Sequence, residues 1–185
     1  MYITLNKKEL IDAVTTTARF SERRSSTLPV LSSIVVSADT DGIHFQATNL
    51  ETGVDITVEG SVKKTGTVAL PANIFKEIVS SFTGGGTITL EQTQDTVLLT
   101  GDGVKSTIKT LSAEDFPSIP TPDEVKTKVT IAGNIFRSLI SLVAGYASPS
   151  TVRPELASVL IKAQGGVITA VATDSFRLAE KKVTI

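Results

Sequence analysis

The sequence predicts an α+β protein made by repeating one unit, a strand, a helix and then three strands. Three observations carry this. First, the stretch around Ala172-Thr173-Asp174 echoes Ala47-Thr48-Asn49 at a spacing of 125 residues, without a gap upstream. Pro29, Leu31 and Ser33 recur as Pro154, Leu156 and Ser158, while Ile34, Val36 and Ile43 meet Val159, Ile161 and Ile168. Second, Asn73-Ile74-Phe75 returns as Asn134-Ile135-Phe136, each at the head of an apolar stripe with helical spacing. Third, alternating apolar runs follow each stripe, divided by short turn sequences. A fixed period decides architecture before any local propensity does.

In the first repeat, Tyr2 to Leu5 alternates and reads as a strand. Asn6 is a good helix N-cap, and Glu9 stands where a capping box places its acid. Leu10, Ile11, Val14 and Ala18 form one apolar stripe. A polar loop, residues 20–27, carries Arg23 and Arg24. Strands are expected at 30–38, 42–49 and 53–62. They are parted by Asp39-Thr-Asp-Gly42, a strong hairpin signal, and by Leu50-Glu-Thr-Gly53.

The second repeat begins with a strand at 67–70. Pro71 opens its helix, where a missing amide hydrogen costs nothing. Ile74, Phe75, Ile78, Val79 and Phe82 make the stripe, and Gly84-Gly85-Gly86 stops it. Strands are expected at 86–92, 96–101 and 104–111. Residues 112–127 read as a linker stiffened by Pro117, Pro120 and Pro122. The third repeat starts at Lys128, with a strand at Val129–Ile131, a helix stripe of Ile135, Phe136, Leu139, Ile140 and Val143, and strands at 156–163, 167–172 and 177–184. One repeat cannot cover both faces and edges of its sheet, so two make a domain. Three repeats leave an odd half, and the expectation is a truncated chain.

Composition narrows function by exclusion. The 185 residues are 41% hydrophobic and 20% charged, enough for a substantial core of Val, Ile, Leu and Ala. A net charge of −1 exerts no global pull on nucleic acid or anionic lipid, so any DNA contact must be local. Cysteine is absent, which removes thiolate chemistry and Cys-ligated metal. No apolar run reaches membrane-spanning length, and Met1–Lys8 lacks the order of a signal peptide, so a cytoplasmic protein is expected. His44, the one histidine, alternates with Ile43 and Phe45 and reads as a strand residue on the other face. The triple glycine lacks the Gly-Lys-Ser/Thr of a phosphate loop, and the acids have no metal-ligand spacing. No catalytic constellation, cofactor or metal site emerges.

What remains is local charge and apolar surface. Lys7-Lys8 and Arg23-Arg24 read either as solvated faces or as phosphate contacts that position a protein on DNA without reading sequence. Leu156, Phe176, Arg177 and Leu178 read either as core or as a pocket for a partner peptide.

Thr27-Leu-Pro-Val-Leu-Ser-Ser33, Ala47-Thr-Asn-Leu-Glu51, Asp115-Phe-Pro117, Arg153-Pro-Glu-Leu156 and Ala172-Thr-Asp-Ser-Phe-Arg-Leu-Ala179, in this order, resemble the bacterial DNA polymerase III beta subunit family, the sliding clamps. The resemblance implies the DNA-clamp fold, with antiparallel sheets outside and helices inside. It implies a head-to-tail dimeric ring, three domains per chain, that threads double-stranded DNA without regard to sequence and tethers the replicative polymerase. Residues 1–118 then correspond to the first domain, 119–127 to a linker, and 128–185 to the first half of the second domain. Family positions map onto Leu156, Thr173, Ser175, Phe176, Arg177 and Leu178 as a groove for polymerase and clamp-loader peptides. Ser175 and Phe176 stand where many members have Gly and His or Tyr. DNA contact is implied for Arg23 and Arg24, with Lys7, Lys76 and Arg137 on helix faces that would line the hole. Ring closure is implied for the edge strand bearing Val104, Ser106 and Ile108. The alternative from the residues alone is a repeat-built β-rich interaction module with no DNA function; basic residues gathered on the helix face favour the clamp.

Overall fold

The computed structural model describes residues 1–22, 28–119 and 128–185. They fall into two compact bodies, Met1–Pro120 and Thr121–Ile185.

In the N-terminal body, β1 (Tyr2–Asn6) leads into α1 (Lys7–Thr17). Asn6 caps this helix, its Oδ1 accepting from the Lys8 amide at 2.9 Å. Leu10, Ala13, Val14 and Thr17 turn inward at helical spacing. A 3₁₀ turn, Pro29–Ser32, precedes β2 (Ser33–Ala38), so this strand begins later than its alternation suggests. β3 (Ile43–Thr48) and β4 (Gly53–Val58) follow. The strand expected over 53–62 breaks at Glu59, and β5 (Gly60–Lys64) leaves for a different sheet, where it pairs with β1. Gly60 permits the crossing. A Cβ there would lie 2.7 Å from side-chain carbons of Leu5 and Ile43 and 2.8 Å from the Thr4 carbonyl oxygen. β6 (Gly66–Pro71), α2 (Ala72–Ser81), β7 (Thr87–Thr93), β8 (Thr96–Gly101) and β9 (Val104–Lys109) make the second repeat.

The sheets run β5-β1-β7-β8-β9 and β4-β3-β2-β6. Each repeat therefore gives its first strand to the sheet of the other. β1 pairs with β7 from Tyr2↔Glu91 to Asn6↔Thr87, and β6 pairs with β2 from Ser33↔Pro71 to Ala38↔Gly66. One apolar core joins both sheets to both helices; Phe45 of β3 and Phe75 of α2 stack within it, centroids 6.5 Å apart. Past β9, Leu111 bridges Ala69, and Ala113 and Phe116 pack on Val30, Val35 and Ala69. The first part of the expected linker is thus a strap. It covers the pleat positions of β2 and β6 that point away from the main core.

The C-terminal body holds α3 (Gly133–Val143), a 3₁₀ turn at Ala144–Tyr146, and one antiparallel sheet of β10 (Leu160–Gln164), β11 (Val167–Thr173) and β12 (Leu178–Thr184). Leu139, Val143, Ile168, Ala170 and Ala172 are its core. Its register copies that of the first repeat. Ile43↔Val58 becomes Ile168↔Val183, Thr48↔Gly53 becomes Thr173↔Leu178, and Val36↔Phe45 becomes Ile161↔Ala170. The strand expected at Val129–Ile131 does not form. The equivalent strands, β1 and β6, are paired by the second strand of the opposite repeat. Among the described residues this body holds a single repeat and so no such partner. A lone strand with unpaired amides and carbonyls has nothing to hold it extended.

Candidate peptide turn, cationic helix face and sheet edge

The turn joining β11 to β12 is set by its own side chains. The Thr173 hydroxyl donates to the Arg177 carbonyl at 2.7 Å and accepts from the Ser175 amide at 3.1 Å. Asp174 Oδ1 accepts from the amides of Phe176 and Arg177, both at 3.0 Å. These bonds, that from the Arg177 amide foremost, hold the Asp174 carboxyl below the usual aspartate range. Ser175 takes φ +77°, which costs a non-glycine residue about 1 kcal/mol and persists because the four bonds fix it.

Arg177 is oriented from three sides. Its Nε donates to Asp174 Oδ2 at 3.0 Å, an Nη donates to the Gly145 carbonyl at 3.0 Å, and the guanidinium lies 5.1 Å from the centre of the Tyr146 ring. The turn thereby presents Phe176, 97% exposed, and Leu178, 63% exposed. Leu156 is half-buried in a separate turn, its amide donating to Arg153 O and its carbonyl accepting from Ser148. Sequence reading placed Thr173 and Asp174 in the turn that presents Arg177 but missed Gly145 and Tyr146. The Asp174–Arg177 spacing of three was a legible signal, whereas Tyr146 lies 31 residues from Arg177 and carried none.

The cations expected on the helix face divide. Lys7 is withdrawn: its ammonium donates to the Gly84 carbonyl and lies 3.9 Å from Asp102, with only 13% of the side chain exposed. That corrects its assignment to DNA contact, because moving it to a phosphate would break both interactions. Lys76 is exposed on α2 and shares a polar recess with Ala18, Arg19, Ser21 and Asn73. Arg19 thus joins Lys76 across the two helices. Arg137 is exposed on α3. Arg23 and Arg24 lie outside the described residues. His44 stands on the outer side of β3, 3.1 Å from Asp55.

β9, the strand expected to carry the ring interface, is the outer strand of its sheet. Val104 is exposed and Ser106 half-buried, but Ile108 is 2% exposed and packs in the core. Its side chain is therefore unavailable to a partner, and only its backbone edge remains open.

Two repeats that exchange first strands, with paired helices packed against both sheets, define a repeat-built clamp fold. The chain belongs to the DNA polymerase III beta subunit family, whose N-terminal-domain model matches residues 1–120. It is 28% identical over 184 residues to the beta sliding clamp of Micrococcus luteus, covering 99% of this chain and 58% of that protein. It is 26% identical to that of Bacillus subtilis, covering 100% and 50%. The crystal structure of the Pseudomonas aeruginosa beta subunit superposes with TM-score 0.88 at 26% identity, covering all of this chain and 50% of the other. The chain spans about half the length of the relatives it matches.

Proposed function

We propose that this chain carries one and a half domains of a DNA sliding clamp, a non-catalytic processivity factor that tethers a replicative polymerase to double-stranded DNA in the cytoplasm. The observation that carries this is the superposition of the whole chain on half of a beta subunit at TM-score 0.88, together with the family match over residues 1–120. On this reading residues 1–118 are the first domain, 119–127 the linker and 128–185 the first half of the second. A ring retains DNA by topology, so its inner face needs few phosphate contacts. Each phosphate neutralised adds affinity and salt dependence, and many would slow sliding. A chain of net charge −1 with scattered cations on its helices suits that task. Arg19, Lys76 and Arg137 would face DNA, with Arg23 and Arg24 beside them; the β9 edge would join the ring neighbour.

Polymerase and clamp-loader peptides would dock on the Thr173–Leu178 turn, Phe176 and Leu178 supplying apolar anchors and Arg177 the polar rim. A few such anchors dominate binding energy at peptide interfaces. The test is titration of the 185-residue chain with a fluorescent clamp-binding peptide from a bacterial replicative polymerase. Saturable binding, weakened by about 1–3 kcal/mol in Leu178→Ala, is expected. Equal affinity for parent and variant would remove the turn from the site. Binding to linear duplex DNA should be weak and vanish with added salt; salt-resistant binding would contradict topological retention.

A further inference from the structure

We infer that Tyr146 is a positioning residue of the peptide turn. With Asp174 and the Gly145 carbonyl it holds Arg177 as a charge-compensated donor, which selects a neutral acceptor in the partner peptide over an acidic one. This rests on the reading of Thr173–Leu178 as a docking turn and adds the chemistry of its partner.

The repeat shows what the turn needs in order to form. Asn49 stands at the equivalent of Asp174, Thr52 at that of Arg177 and Ser21 at that of Tyr146. The first turn closes with the same backbone bonds, although Thr52 offers no charge and Ser21 no ring. The Ser21 hydroxyl instead donates to the Ala18 carbonyl at 2.9 Å. The hairpin therefore folds without the guanidinium and its aromatic neighbour. Ordering the Arg177 side chain, 59% exposed, costs conformational entropy that an exposed ion pair scarcely offsets. A fixed cation that the fold does not require points to a partner.

The geometry sets what that cation can do. Of five guanidinium N–H groups, Asp174 Oδ2 and the Gly145 carbonyl take one each, both at 3.0 Å. Three remain for a partner. The Tyr146 ring, its centre 5.1 Å from Arg177 Cζ, backs the group and limits its swing. Asp174 is fixed beside it by the amides of Phe176 and Arg177, with 19% of its side chain exposed. A peptide carboxylate would compete with this carboxylate and meet its like charge. A backbone carbonyl or side-chain amide oxygen meets the same donors without that repulsion.

Two forms of a fluorescent clamp-binding peptide from a bacterial replicative polymerase test this on the 185-residue chain. One carries an amide beside its apolar anchor, the other the isosteric carboxylate. The parent should bind the amide form at least as tightly, with little dependence on salt. Asp174→Asn should keep the turn, as Asn49 does in the first body, and uncover the charge of Arg177. It should shift the ratio of the two affinities about fivefold toward the carboxylate at low ionic strength, and added salt should erase the shift. An unchanged ratio overturns the selection. Tyr146→Leu should weaken the amide form about two- to fivefold, while Tyr146→Phe, which keeps the ring, binds like the parent. NMR gives a readout that needs no peptide. The ring should displace the Arg177 side-chain proton shifts in the parent and in Tyr146→Phe, but not in Tyr146→Leu. Equal binding by the two variants, or Arg177 shifts indifferent to the ring, overturns the positioning role and leaves the docking reading standing. A parent that binds neither form overturns the docking reading, and the selection with it.

Discussion

The two bodies carry the same turn on unequal foundations. In the N-terminal body the Thr48 hydroxyl donates to Thr52 O at 2.9 Å and accepts from Leu50 N at 3.0 Å, while Asn49 Oδ1 accepts from the amides of Glu51 and Thr52. Each bond has its counterpart 125 residues on, at Thr173, Asp174, Ser175, Phe176 and Arg177. Leu50 at φ +70° answers Ser175 at +77°. Yet the first turn belongs to a body whose two sheets share one core, and the second to a single three-stranded sheet under one helix. Local hydrogen bonds thus dictate the hairpin whatever surrounds it. Closing the sheet and burying the helix require a second repeat.

The largest effect should come from deleting one aromatic ring in each body. Phe75→Ala removes a fully buried ring stacked on Phe45 and should cost about 3–5 kcal/mol. Phe136→Ala, at the equivalent helix position but part-exposed, should cost under about 1 kcal/mol. Urea denaturation of each variant measures both. Equal losses would mean that the C-terminal body buries Phe136 after all.

Next comes the crossing point that only the N-terminal body has. Gly60→Ala drives a methyl against Leu5, Ile43 and the Thr4 carbonyl, and backbone cannot yield as a flexible side chain does. The expected loss is about 1–3 kcal/mol. A neutral result in the same denaturation assay would show that β5 can shift away from β1 without cost.

The paired threonines should give a smaller effect. Thr48→Val and Thr173→Val each delete a hydroxyl that serves as donor and acceptor, at about 1–2 kcal/mol in a buried site. Thr48 is buried and Thr173 half-buried, so the first variant should lose more. If Thr173→Val lost more, the two turns would not be energetic equivalents. Amide exchange at Leu50 and Ser175 reports each turn separately.

These contrasts also mark how far the sequence could be read. The repeat, the helix stripes and the Asn6 cap were legible because hydrophobic period and capping chemistry are local. Strand exchange was not: Tyr2–Leu5 alternates in the same way whichever strand receives it. The break at Glu59 hid inside a continuous alternating run, since the crowding at Gly60 comes from Leu5 and Ile43, both distant in sequence. Val129–Ile131 has strand composition but needs a partner that composition cannot supply. Lys7 looked like a free cation until the fold brought Asp102 beside it, and Ile108 looked like interface until the pleat turned it inward. The Thr173–Leu178 turn was found by its echo, but the seat of Arg177 on Gly145 and Tyr146 depends on the 3₁₀ turn after α3.

The subtlest difference between the two turns is one of charge. Asn49 and Asp174 accept equivalent pairs of backbone amides, but only Asp174 titrates. Its carboxyl is held below the usual aspartate range by the Arg177 amide first, then by the Phe176 amide and the Arg177 guanidinium. A carboxyl depressed in the folded state stabilises it above the unfolded pKa and stops doing so as pH falls through the folded one. Acidification below the usual aspartate range should therefore loosen the Thr173–Leu178 turn and free Arg177, while the Thr48–Gly53 turn stays as it is. The group is solvent-exposed, so the change should be local and leave the global unfolding midpoint nearly fixed. Amide chemical shifts followed by NMR through acid provide the measurement, with the Phe176 and Arg177 amides expected to shift together. Asp174→Asn should abolish the titration at 176 and 177 while keeping the turn, because Asn49 already shows that an amide oxygen can hold it. If the variant lost the turn, charge rather than hydrogen-bond geometry would be what distinguishes the second hairpin from the first.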